Sequence, residues 1–230
     1  MTLRQETSRS ISSLVISLLL AIPAFSQQKT MVDAETAEND SVAFLHGFAV
    51  GVDLAGIVQK AISSYGQYEA SLRVNLLDCY FPIVEIGIGK AYREDEVSLI
   101  TYESSAPYFR LGMDYNFMKN KHDDYRVYGG ARWAFTSFSY DISHPGATDP
   151  VWGGVTPYGA KDVKTTYHWA ELVAGVDAKI WGPVHLGWTV RYRKRMYHST
   201  DEIGDAWYVP GFGESGNSNL GYSFVVTIDI

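Results

Sequence analysis

The sequence is poor in the features that build many exported enzymes, beginning with cysteine. Cys79 is the only cysteine among 230 residues. A single thiol excludes an internal disulfide and any metal site assembled from several cysteines. The protein therefore has to be stabilised by other means.

The chain also lacks an excess of positive charge. Its formal net charge is −7 at pH 7. Proteins that neutralise nucleic-acid phosphates need a basic field, so this balance argues against a nucleic-acid partner. A basic stretch from Thr189 to His198, TVRYRKRMYH, needs a different explanation.

An apolar run long enough for a spanning helix is missing as well. The longest, Ile11 to Ala24, is shorter than the roughly 20 residues that a spanning helix needs. Arg4 and Arg9 precede this run, and a small-x-small pattern ends at Ser26. This order is typical of a secretory signal peptide, predicted here as residues 1–26. Residues 27–44 are polar and acidic, and we predict a flexible segment on the periplasmic side.

Helical periodicity is nearly absent from residues 45–230, apart from one or two turns predicted at Ile57 to Ser64. Alternation of apolar and polar residues recurs instead, which is the pattern of β-strands. Most of the alternating segments are longer than strands of soluble proteins and match the 9–11 residues of a membrane-crossing strand. The eight predicted strands are Gly47–Gly56, Gln67–Leu76, Ile83–Arg93, Tyr108–Phe117, Tyr125–Tyr140, Tyr167–Ile180, Val184–Met196 and Leu220–Ile230.

The connections between these strands alternate in length. Short links at Leu77–Phe81, Met118–Asp124 and Trp181–Pro183 contrast with long ones at Asp141–Thr165 and Tyr197–Asn219. Short periplasmic turns and long outer loops are typical of outer-membrane barrels. The sequence thus predicts an all-β fold: an eight-stranded antiparallel transmembrane up-and-down β-barrel, exported to the outer membrane of a Gram-negative bacterium.

Glycine indicates which face of each strand points inward. The charged face also carries glycines, including Gly51, Gly87, Gly112 and Gly175. Glycine weakens a strand exposed to water but fits the crowded interior of a small barrel. We therefore expect charges and glycines inside and apolar side chains against lipid. Aromatic girdles are predicted near the short turns at Tyr80, Phe81, Tyr115, Phe117, Tyr125 and Trp181, and near the long loops at Tyr92, Phe138, Trp169, Tyr192 and Tyr197.

The inward charges are close to balance. Buried charges must be paired or hydrated, so the simplest interpretation is a salt-bridge network that fills the lumen. Glu171 is expected to meet an arginine of the seventh strand, and Glu85 to meet Arg73 or Arg110. The predicted network consists of Glu69, Arg73, Glu85, Arg110, Asp114, Arg126, Arg132, Glu171, Asp177, Arg191, Arg193 and Arg195.

Two alternatives remain open. Arg193 and Arg195 lie toward the outer mouth, where they can bind lipopolysaccharide phosphates or favour passage of anions and small solutes. A lipid-modifying enzyme is the other alternative, and His198, Ser199 and Asp201 are grouped in an outer loop. Adjacent loop residues rarely reach triad geometry, so we predict no catalytic site. The histidines are dispersed along the chain, so no metal site and no cofactor is predicted.

Several segments resemble an uncharacterised outer-membrane barrel family known only as a domain of unknown function. They are GVDL from Gly51, YFRLGMDYNF from Tyr108, the stretch from Trp169 to Arg195, and YVPGFG from Tyr208. The resemblance covers about residues 45–230 and carries no known catalytic residues. It implies an accessory role beside the machinery that inserts outer-membrane proteins.

The sequence therefore predicts a non-enzymatic barrel with a structural or interaction role. The expected partners are outer-membrane lipid and lipopolysaccharide, and an assembly complex or another barrel. An aromatic loop that contains proline and glycine is the candidate outer contact. A loop folded over the barrel mouth is the alternative for the same residues, Trp207, Tyr208, Pro210 and Phe212.

Overall fold

Eight antiparallel strands form a closed barrel in the computed structural model. The structure describes residues 44–120, 123–148, 155–199 and 204–230. The predicted signal peptide and nearly all of the predicted flexible segment lie outside these residues. The barrel strands are β1 (Leu45–Asp53), β2 (Tyr65–Leu76), β3 (Tyr80–Glu94), β4 (Thr101–Asn116), β5 (Tyr125–Thr148), β6 (Val155–Trp181), β7 (Val184–His198) and β10 (Ser218–Asp229).

Neighbouring strands pair in sequence order, and β1 pairs with β10 to close the ring. The longest uninterrupted ladder joins β5 to β6 from Tyr125↔Ala178 to Tyr140↔Val163. Three short connections and the first described residues lie at one end of the barrel, called here the turn end. The opposite end, with the longer connections, is called the loop end.

The outer wall is apolar. Along β3, Val84, Ile86 and Ile88 are exposed, whereas Glu85 between them is buried. Leu111 and Leu172 are each 65% exposed on the outside of β4 and β6. This polarity is the reverse of a soluble barrel, whose apolar side chains point inward. We call this outer surface the apolar belt.

At the loop end, strands β5 and β6 are longer than predicted. The predicted long loop from Asp141 to Thr165 is mostly a continuation of β5 and β6, which pair beyond the barrel as far as Thr148↔Val155. Register shifts accompany this extension, at Tyr140/Ile142 and at His144/Ala147. A break in strict alternation hides such strands from a period-two pattern. The extension, residues 141–148 and 155–166, is called here the projecting hairpin; beyond Ser143 its described residues have no pairing to β4.

The first strand is shorter than predicted because a helix replaces its last residues. Helix α1 (Leu54–Ile62) begins at Asp53, whose carboxylate accepts hydrogen bonds from the backbone N–H groups of Ala55 and Gly56. An aspartate at this position satisfies donors that have no partner within the helix. The predicted turns at residues 57–64 therefore belong to a longer helix that starts earlier. No helix of the described residues is long and apolar enough to cross a membrane.

Two short strands, β8 (Tyr208–Val209) and β9 (Gly213–Glu214), pair with each other in the connection between β7 and β10. Residues 206–213 of this connection, called here the plug, fold into the barrel mouth. Tyr208, Val209 and Phe212 are at most 1% exposed. The plug closes the lumen at the loop end.

Candidate functional site: a filled lumen

The middle of the lumen is occupied by four arginines and four carboxylates, all buried. Their side chains come from β2, β3, β4, β5, β6 and β7, so the cluster joins most of the barrel wall. We call Glu69, Glu85, Asp114, Glu171, Arg110, Arg132, Arg191 and Arg193 the central cluster.

Glu85 has three arginine partners in this cluster. It lies 3.0 Å from Arg132 Nε, 2.6 Å from Arg191 Nη1 and 3.2 Å from Arg110 Nη1. Arg132 also donates to Asp114 at 3.0 Å. Charge-assisted hydrogen bonds of this kind offset the removal of these groups from water.

Glu69 and Glu171 complete the cluster. Arg110 bonds Glu69, and its Nε lies 2.9 Å from Glu171. Arg191 reaches Glu69 at 3.3 Å, and Arg193 lies 3.5 Å from Glu171, its cross-strand neighbour. The expected meeting of Glu171 with a β7 arginine is thus present in the structure.

A second group of charges lies toward the turn end. Arg73 and Arg126 both donate to Asp177, Arg73 at 3.1 Å. Their guanidinium groups lie 5.6 Å and 4.4 Å from the ring centre of Phe81. Arg73 therefore pairs with Asp177. Of the two partners predicted for Glu85, Arg110 is in contact with it and Arg73 is not. Strand parity gives the face of each residue but not how far around the barrel its side chain reaches.

An aromatic layer lies between the central cluster and the loop end, and the sequence analysis did not anticipate it. Phe138 and Trp169, expected in an outer girdle, are inside the barrel and at most 4% exposed. Phe81, expected in the turn-end girdle, is inside as well. The layer consists of Tyr102, Tyr108, Phe138, Tyr140, Tyr167 and Trp169, together with Tyr208 and Phe212 of the plug. Trp169 and Glu171 are two residues apart and share one strand face. This parity could have predicted that Trp169 points into the barrel.

The plug corrects the prediction of an outer contact. Tyr208, Pro210 and Phe212 are buried and Trp207 is half-buried, so most of this loop cannot meet an external partner. The position of the plug agrees with the alternative prediction, a loop folded over the barrel mouth. Its backbone carbonyls accept from the interior: Gly211 from Arg110 Nη2 at 2.7 Å and Phe212 from Arg193 Nη1 at 2.8 Å.

These contacts also argue against the alternative role of Arg193, the binding of lipopolysaccharide phosphates. Arg193 is buried beneath Phe212 and does not face the outside. Arg195 lies nearer the mouth, but it is held by Asp205 at 3.3 Å and by Asn217 at 2.7 Å. Arg193 is therefore not placed to receive a phosphate from outside, and the guanidinium of Arg195 already has these side-chain partners at the mouth.

Two cavities lie among the described residues of the lumen. One of about 330 Å³ opens at the turn end beside Asp78, Arg126 and His185. The other, of about 30 Å³, lies next to the central cluster and is comparable to one water molecule. Within the described chain, no group of three or more His, Cys, Asp or Glu is placed to hold a metal ion. Part of the predicted His-Ser-Asp loop lies outside the described residues, namely residues 200–203.

The closed eight-stranded ring, the apolar belt and the charged, filled interior together define a small transmembrane β-barrel of the outer-membrane type. The chain belongs to the family described as Domain of unknown function (DUF6048), whose model matches residues 7–230. The family matches the resemblance seen in the sequence.

Comparison with other proteins returns two solved barrels at low identity. Neisserial surface protein A (NspA) is 14% identical over 81% of this chain and 99% of that chain, with a TM-score of 0.46. Ail, the attachment invasion locus protein of Yersinia pestis, solved with the heparin analogue sucrose octasulfate, is 9% identical over 80% and 93%, with a TM-score of 0.36. No curated protein sequence matches the chain.

Proposed function

We propose that this protein is a non-enzymatic barrel of the outer membrane of a Gram-negative bacterium, with a structural or protein-interaction role. The observation that carries the proposal is the occupied interior. The central cluster, the aromatic layer and the plug contact one another and fill this part of the lumen. The surfaces that remain for a partner are those outside the barrel.

The apolar belt supports the membrane placement. In water, a continuous ring of exposed Val, Ile, Leu and aromatic side chains is far larger than the apolar patches that soluble monomers tolerate. In lipid, the same ring is favourable and the closed barrel leaves no strand edge unpaired within it. The short turns, the start of β1 and the end of β10 then lie on the periplasmic side.

The proposed partner is another outer-membrane protein, and more specifically a component of the complex that assembles outer-membrane barrels. Family resemblance supports this finer assignment. Two outer surfaces are available for contact: the apolar belt and the projecting hairpin. Tyr158 on this hairpin is 57% exposed and stacks on His144, with ring centres 4.4 Å apart.

Site-specific photo-crosslinking in intact outer membrane tests the interaction role. A photoreactive residue would replace Leu111 or Leu172 on the belt, or Tyr158 on the hairpin, and Thr136, which is buried inside the barrel, would serve as the control site. We expect a discrete crosslinked protein from at least one outer site and none from Thr136. Mass spectrometry then identifies the partner.

Three results would contradict the proposal. A change in lipid A composition when the protein is deleted, restored only by the intact chain, would indicate a lipid-modifying enzyme. Stepwise conductance of the purified barrel would indicate a solute conduit. Absence of any crosslink at all outer sites would remove the interaction role.

A further inference from the structure

Helix α1 does not stay within the barrel wall. Its first turn follows the end of β1 and packs against β2, where a Cβ added to Gly56 would lie 2.5 Å from the carbonyl oxygen of Gln67. Its last turn crosses the outer face of β2 at Gly66. A Cβ added to Gly66 would lie 2.5 Å from both the backbone N and the Cα of Lys60. Glycine at this position permits the close approach of helix and strand.

This crossing brings two lysines together on the outer surface. Lys90 on β3 is the direct register partner of Gly66. Directly opposed residues of antiparallel strands have Cβ positions about 4.5–5.5 Å apart on the same face. Lys60 packs on the outward side of Gly66, so Lys60 and Lys90 are neighbours. We call them the lysine pair.

The lysine pair has no counter-charge of its own. Within the described chain, neither lysine is within ion-pair distance of a carboxylate. Every arginine of the central cluster, by contrast, has a carboxylate partner. Glu103 is the outward carboxylate nearest along the ladder, but it lies opposite Tyr92 and thus diagonal to Lys90. Two adjacent like charges repel, and an anion placed between them would relieve the repulsion.

The surroundings of the pair are apolar. Tyr68 and Ile88, paired with each other one step toward the turn end, are 45% and 46% exposed. Ile62, at the end of α1, is 80% exposed. The pair therefore stands at the loop-end edge of the apolar belt, with positive charge above and apolar surface below. This arrangement is complementary to a lipid with an anionic headgroup and not to a fully hydrated ion.

We propose that Lys60 and Lys90 form a binding site for the phosphate of an anionic lipid headgroup, whose acyl chains lie along Tyr68, Ile88 and α1. The proposal rests on the membrane placement proposed above. It assigns phosphate binding to the outer surface, in place of the inward Arg193 and Arg195. Helix α1 acts as the element that positions Lys60 beside Lys90.

Native mass spectrometry of the purified barrel, released from nanodiscs of mixed anionic and zwitterionic phospholipid, tests this site. We expect the wild type to retain anionic lipid preferentially. Lys60→Gln combined with Lys90→Gln should lower that preference about tenfold or more, since a lysine near a lipid surface contributes a factor of about five. Lys161→Gln combined with Lys164→Gln removes two exposed lysines of the hairpin and should leave the preference unchanged.

Heat-dependent gel mobility establishes that each variant is folded, which separates failure of this site from failure of the barrel assignment. Equal lipid preference in wild type and in the Lys60/Lys90 variant, both folded and inserted, would overturn the proposal while leaving the membrane barrel intact. Inorganic phosphate is the second probe. Displacement of the retained lipid by millimolar inorganic phosphate would assign the site to free phosphate and contradict the lipid.

Discussion

At the scale of single residues, Glu85 shows how the interior is held together. Three arginines from β4, β5 and β7 converge on its carboxylate. A buried charge that loses its partner costs far more than an exposed one, because water cannot replace the lost contact. The balance of charge inside the barrel is therefore a requirement for stability and not a sign of an open channel.

Glu85→Gln should strongly destabilise the barrel. The substitution keeps the size of the side chain but leaves Arg110, Arg132 and Arg191 with one negative charge fewer. We expect a loss of about 3–5 kcal/mol in the free energy of unfolding. Urea unfolding in detergent, followed by tryptophan fluorescence, measures it.

Glu103→Gln provides the matched control. Glu103 is exposed on the outside of β4, and its substitution should change stability by less than about 0.5 kcal/mol. Equal stability of the two variants would mean that Glu85 is hydrated and not embedded in an ion cluster.

Strand parity predicted which residues face inward, and the structure places all twelve predicted network residues on the inner side. Their partners were harder to predict. Glu85 and Arg191 are 106 positions apart and meet across the lumen. Such contacts depend on the tilt and stagger of the whole barrel, which no local pattern encodes.

At the scale of elements, α1 and the plug depart most from what the sequence suggested. Helix α1 replaces the last residues of the first predicted strand, and the plug lies in a connection that was predicted as a loop. The position of each is set by contacts elsewhere in the barrel. Asp53 caps α1 and also accepts from the backbone N–H of Phe224 at 3.0 Å, so it ties the helix to β10. Period-two alternation places Asp53 on the inner face but cannot show that β1 ends there.

Asp53→Ala should release the first turn of α1. The variant loses the helix cap and leaves the N–H of Phe224 without its acceptor, at a cost of about 1–2 kcal/mol. Hydrogen–deuterium exchange should rise in residues 54–62 and at Phe224. The barrel strands β3 to β6 should keep their protection.

Asp95→Ala is the matched control, because the Asp95 carboxylate also accepts hydrogen bonds from nearby backbone N–H groups but lies in the β3–β4 turn. The backbone N–H of Ser98, its hydroxyl and the N–H of Val97 bond the Asp95 carboxylate in the β3–β4 turn and lower its pKa. Its loss should raise exchange in residues 95–100 alone. Unchanged exchange in α1 of Asp53→Ala would show that the helix is held by packing without the cap.

The plug depends on a backbone conformation at Gly211. This residue has φ of +81°, and a Cβ would lie 2.5 Å from the ring of Tyr108. Gly211→Ala should therefore displace the plug, with a backbone cost of about 1–3 kcal/mol in addition to the clash. Limited proteolysis of the β7–β10 connection measures the change as faster cleavage.

Gly216→Ala lies in the same connection, where a Cβ would make only an ordinary van der Waals contact, 3.8 Å from the carbonyl oxygen of Ser218. It should leave the cleavage rate near that of the wild type. Equal cleavage of Gly211→Ala and Gly216→Ala would contradict a plug fixed against Tyr108.

At the scale of the whole molecule, side chains fill the barrel from the central cluster to the loop end, and a cavity of about 330 Å³ opens at the turn end. The apolar belt, the inward charges and the number of strands follow from sequence periodicity, because each depends on local alternation. Strand parity also places Trp169 on the inner face with Glu171, and Phe138 with Arg132, but it does not show that these rings meet in one layer. The outside of the molecule is consequently what a partner or a lipid meets.

Planar-bilayer recording on the purified, folded barrel tests the filled lumen most directly. Heat-dependent gel mobility first establishes that the sample is folded, and a known porin inserted under the same conditions establishes that the bilayer reports channels. We expect a barrel that inserts without stepwise conductance, because the plug closes the loop end and only a cavity of about 30 Å³ remains beside the central cluster. Stable ohmic conductance steps from the folded wild-type protein would contradict it.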